Sequence, residues 1–70
     1  MNVDKLRDKI SSSRKTIEAL AVYLGINMST FYRKINGESD FTRNEIMLIT
    51  SFLNLTADEV FAIFFANELA

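Results

Sequence analysis

Ser29 and Arg33 stand four residues apart in the stretch Met28-Ser29-Thr30-Phe31-Tyr32-Arg33, a spacing that stacks two side chains on one face of a helix. A guanidinium can fork to both acceptors of a guanine, and a hydroxyl one turn earlier can donate to or accept from a neighbouring base. Met28 and Tyr32 flank this face, within reach of a thymine methyl or the sugar-phosphate wall, and Thr30 lies at its edge with Asn36. A second set of donors suits phosphate oxygens: Arg14, Lys15 and Thr16 in one cluster, Thr42, Arg43 and Asn44 in another. Both clusters fall where a helix is expected to begin, and unsatisfied amides and the helix dipole favour an anion there. Contacts of that kind position a duplex without reading it.

Covalent and metal chemistry has little to work with. The 70 residues include no cysteine and no histidine, which removes disulfides, thiolate nucleophiles, imidazole bases and nearly all structural zinc sites. Ser11-Ser12-Ser13 reads as a polar turn between helices, and Asp58-Glu59 as a first helical turn rather than a catalytic pair. No enzymatic activity, cofactor, metal or small-molecule substrate is expected. The longest apolar stretches fall far short of the about 20 residues that cross a bilayer, and Asn2-Val3-Asp4-Lys5 is not the basic-then-apolar start of a signal peptide. The expectation is a cytoplasmic protein that does not engage a membrane.

The formal net charge of -1 hides an asymmetry. Residues 1–43 carry eight bases against five acids, a net of +3, whereas the remainder carries Glu45, Asp58, Glu59 and Glu68 with no base, a net of -4. The basic part is the candidate nucleic-acid part.

Five helices are expected to position these residues within one unit spanning residues 1–70. Val3, Leu6 and Ile10 recur at helical spacing over residues 3–12. Thr16 caps a second helix whose stripe is Ile17, Leu20, Ala21 and Leu24, stopped by Gly25. Asn27 caps a third, with Phe31 and Ile35 as apolar anchors and Asn36-Gly37 as its stop. Thr42 to Glu45 and Thr56 to Glu59 form two capping boxes that open the fourth and fifth. Helix 4 ends at Asn54, and Leu55 tucks inward. Helix 5 is apolar all round: Val60, Phe61, Ile63, Phe64 and Phe65 point in every direction around an α-helical axis. Ile63, Phe64 and Phe65 either close the core or form the surface of a homodimer.

Residues 16–37, TIEALAVYLGINMSTFYRKING, join two short helices through Gly25-Ile26-Asn27. With LA at 20 and 21, LG at 24 and 25, ST at 29 and 30 and NG at 36 and 37, followed by two further helices, the chain resembles the helix-turn-helix family of phage repressors, Cro proteins and related bacterial transcriptional regulators. The resemblance implies a compact, all-α, five-helix lambda-repressor-like domain that binds operator DNA. It also implies a third helix in the major groove, base contacts from Met28, Ser29 and Arg33, and backbone contacts at the starts of helices 2 and 4. Lys34 departs from the pattern: it stands where the family places its second apolar anchor, so the end of helix 3 is expected to be rotated or extended by one residue. A protein-binding module of the same fold, acting through its apolar C-terminal helix, is the alternative reading.

Overall fold

The structure, a computed structural model, describes residues 1–65; Glu68 lies outside them. Its elements are α1 (Val3–Ser12), α2 (Ile17–Leu24), α3 (Met28–Ile35), α4 (Arg43–Leu53) and α5 (Ala57–Val60), which runs on as a π-helical turn, Phe61–Phe65. There is no strand among the described residues, and no helix is long and apolar enough to cross a membrane.

All five helices start in the same way. Asn2, Thr16, Asn27, Thr42 and Thr56 hold extended backbone, and each side-chain oxygen accepts from the amide three residues on. The acceptor distances run from 2.8 Å at Asn27 to 3.2 Å at Thr56, and a cap of this kind contributes about 1 kcal/mol. At Thr42 and Thr56 the box closes, because Glu45 and Glu59 each accept from the threonine's own amide.

Three helices also stop in the same way. Gly25, Gly37 and Asn54 take left-handed backbone with φ of 75°, 85° and 55°. The amide that follows each one reaches back five residues: Ile26 to Ala21, Glu38 to Arg33 and Leu55 to Thr50. This turn satisfies orphan carbonyls, and at Gly25 and Asn54 it also directs the next residue inward. Leu55 is buried and Ile26 packs against the core.

The core sits where the helices converge. Leu6, Leu20, Phe31, Ile35 and Ile49 are completely buried, one or two from each of the first four helices. Phe41, in the loop before α4, bridges inward: its ring centroid lies 6.0 Å from that of Phe31 and 6.2 Å from that of Phe64. The chain's beginning is fastened to its later part where the Asn2 amide donates to the Ile63 carbonyl at 2.6 Å and Lys9 of α1 pairs with Glu59.

The fifth helix turns two of its apolar residues inward. Ile63 and Phe64 are 1% and 8% exposed, so these two dimer candidates are core residues; Phe65 is half-buried. The wide π turn, with hydrogen bonds to the fifth residue rather than the fourth, lets two consecutive bulky side chains face inward. Phe61 is the residue left facing out, 45% exposed.

Gly25 has open space around its α-carbon: a methyl group there would meet no atom within 4 Å. Gly25→Ala therefore tests backbone conformation alone. The expected cost is about 1 to 2 kcal/mol, read as a lowered midpoint of chemical unfolding. An unchanged midpoint would show that the turn tolerates a right-handed alternative.

Candidate nucleic-acid interface

Phe31 and Ile35, both fully buried, pin α3 to the core along one side. The opposite side carries Ser29, Tyr32 and Arg33, all exposed, and Asn36 follows one turn later at the helix end. The stripe at 29, 32, 33 and 36 is a single helical face. Two residues assigned to base contact lie off it. Met28 is half-buried and packs against the core, and Thr30 is half-buried; they lie on opposite flanks of the stripe. Ser29, Tyr32 and Arg33 are thus the side chains of that set which α3 presents outward.

Lys34 is accounted for by a contact that the sequence pattern does not announce. Its Nζ donates to Oε1 of Glu45 at 2.6 Å, and the same oxygen accepts from the Thr42 amide at 2.8 Å. Both side chains are about nine-tenths withdrawn from solvent. Ile35 supplies the apolar anchor one residue later than the resembled pattern would have it, and α3 ends there. Burial on its own would raise the Glu45 carboxyl, but the bonds from Lys34 and Thr42 and the lysine's charge outweigh it and hold the group below its ordinary value.

The phosphate candidates divide. Arg43 and Asn44 are exposed in the first turn of α4, beside Thr42, whose hydroxyl is occupied as the cap. Thr16 is likewise the cap of α2 and exposed. Arg14 precedes it in left-handed backbone, φ 62°, with its side chain in solvent. Lys15 goes elsewhere: its Nζ donates to the Phe52 carbonyl and lies 4.6 Å from the centre of the Phe52 ring. That charge serves the last turn of α4, whose carbonyls attract a cation, and ties α2 to α4 beside the Tyr23–Phe52 ring pair.

Sequence reasoning missed Arg7. It is exposed on α1, and its Nη2 donates to Oδ1 of Asn36 at 3.1 Å. Helical spacing places Arg7 on an outward face, but a partner 29 residues away leaves no local signal. Glu38 and Asp40 are exposed in the loop after α3 and oppose the basic residues around them.

Two short capped helices joined by three residues, the second pinned by two buried anchors with a hydrogen-bonding stripe outward, define a small helical domain of the DNA-binding type. Residues 2–68 match the BetR domain family, and the chain belongs to it. No curated protein and no solved structure matches the chain.

Glu45 makes the acid response of the fold readable. With its folded-state value below the ordinary 4.5, the carboxylate's stabilisation is complete above that value. As the pH falls below it, the unfolded chain takes up the proton first and the stabilisation drains away down through the folded-state value. Glu45→Gln should therefore lower the thermal midpoint at neutral pH and flatten the further fall as the pH drops below the ordinary value of 4.5. A variant falling as steeply as the parent would place the acid sensitivity elsewhere.

Proposed function

We propose that this chain is a sequence-specific duplex-DNA-binding protein, a transcriptional regulator of the phage-repressor and Cro type that acts in the cytoplasm without enzymatic activity. The observation that carries the reading is the outward stripe of α3. Ser29, Tyr32 and Arg33 are exposed on a helix whose opposite side is immobilised by Phe31 and Ile35. Side chains that read bases must be held in fixed geometry before the duplex arrives, and this helix meets that condition. Arg33 reads a guanine through O6 and N7, Ser29 reads the adjacent base, and Tyr32 lies against a thymine methyl or the groove wall. Arg14, Thr16, Arg43 and Asn44 fix the register on phosphates.

The reading extends to a homodimer on a two-fold operator. With Ile63 and Phe64 in the core, the dimer surface moves to the groove between α4 and the π turn, about 580 Å³ in volume and lined by Ile46, Met47, Val60, Phe61 and Phe65 among others. Met47 is 62% exposed there and Phe61 45%, apolar surface that a monomer leaves in water. The same groove favours the second reading, a protein-binding module that holds a different polypeptide by its C-terminal side.

Selection from a random duplex pool at about 0.15 M salt, where weak phosphate-only binding is suppressed, tests the main reading. An enriched sequence supports it, and no enrichment from folded protein transfers the case to the protein-binding module. Arg33→Ala should cost about 1 to 3 kcal/mol on the enriched duplex and relax one base pair; equal losses on enriched and scrambled duplexes would remove its reading role. Phe61→Asp should turn a sedimenting dimer into a monomer, and a parent that sediments as a monomer at all concentrations would remove the dimer.

A further inference from the structure

We infer that Arg7 of α1 and Asn36 at the end of α3 form one composite contact for a phosphodiester of the DNA backbone, an inference that rests on the DNA-binding reading above. The two side chains meet through Nη2 and Oδ1 at 3.1 Å, and both are exposed. An asparagine amide carries one acceptor and two donors. The arginine engages the acceptor, so the amide nitrogen is aimed away from Arg7, and every other polar hydrogen of the pair belongs to a donor. A cluster that offers donors and one positive charge selects an anionic acceptor.

Position within α3 supports the choice of acceptor. In helix-turn-helix docking the N-terminal residues of the reading helix contact base edges, and Asn36 lies about 4.5 Å beyond Arg33 along the axis of α3. If Ser29 and Arg33 lie over base edges, Asn36 comes to the wall of the groove, where backbone oxygens are the next acceptors. The end of a helix is a poor place for a phosphate, because the last carbonyls carry partial negative charge. Lys34, the lysine of that last turn, is engaged by Glu45. Arg7 supplies the missing charge from a different helix, and among the described residues it pairs with no carboxylate.

The inference assigns α1 a part in DNA contact, so the footprint reaches beyond α2, α3 and the start of α4. It also explains why Asn36, on the reading stripe by spacing, would carry no base preference. A bidentate grip on adenine needs the amide oxygen as well as the nitrogen, and that oxygen faces Arg7.

The test is a salt titration of duplex binding by fluorescence anisotropy, using the full chain with the enriched duplex and a scrambled one, and circular dichroism melts to confirm folding. Arg7→Gln should weaken both duplexes several-fold by the same factor and make the slope of log K against log salt shallower by about 0.9, the loss of one phosphate contact. Arg7→Lys keeps the charge and should restore most of the slope. Asn36→Ala should weaken binding in the parent and much less in the Arg7→Gln background, since the two act together. Unchanged slope and affinity in Arg7→Gln, with the parent binding normally, overturns the composite contact and leaves the DNA reading intact. A loss confined to the enriched duplex with an unchanged slope also overturns it, in favour of a base contact. A folded parent that binds neither duplex overturns the DNA reading and this inference with it.

Discussion

One carboxylate oxygen, Oε1 of Glu45, holds the end of α3 and the beginning of α4 together. It accepts from the Thr42 amide at 2.8 Å and from the Lys34 ammonium at 2.6 Å. The first bond completes the cap of α4; the second fastens the last turn of α3 to that cap. An ion pair this withdrawn from water costs desolvation that its Coulomb attraction offsets only with good geometry and further hydrogen bonds, and the capping box provides them. The contact therefore does more for the relative placement of two helices than for total stability. The outward stripe of α3 and the exposed Arg43 and Asn44 are held in one frame because of it.

Around that polar joint the packing is ordinary and sufficient. Phe31 is the common member: it anchors α3, and through Phe41 it connects to Phe64 of the π turn. Burial of a phenylalanine contributes about 1.5 to 3 kcal/mol, so this row of rings is a large share of what a chain of this length can gather. It also links α3 to the π turn through Phe41. The π turn belongs to the same packing, with both Ile63 and Phe64 turned into the core.

Much of this is legible in the amino-acid sequence. The caps at Thr16, Asn27, Thr42 and Thr56 and the stops at Gly25, Gly37 and Asn54 act between residues three to five apart, and so the sequence displays them directly, whereas the cap at Asn2 is not read from it. The inward turn of Leu55 follows from the same local grammar. What escaped was set by partners distant along the chain. Lys15 looks like a phosphate ligand until Phe52 comes beside it, Lys34 looks misplaced until Glu45 is opposite, and Arg7 shows nothing until Asn36 is in reach. Met28 and Thr30, which spacing already puts at the two edges of the reading stripe, are half-buried there, a degree of cover that spacing does not give. Ile63 and Phe64 could not be assigned from spacing because the helix changes its winding at that point.

The bond from the Asn2 amide to the Ile63 carbonyl has a consequence for the order of folding. Other ties also span long stretches of the chain, Arg7 to Asn36, Lys15 to Phe52 and Lys9 to Glu59 among them, but this one closes a loop of almost the whole chain, at the largest entropic cost. The segment of α2, α3 and α4 thus has the means to assemble first, with α1 and the π turn docking afterwards as a pair. In reverse, breathing motions that release one of them loosen the other.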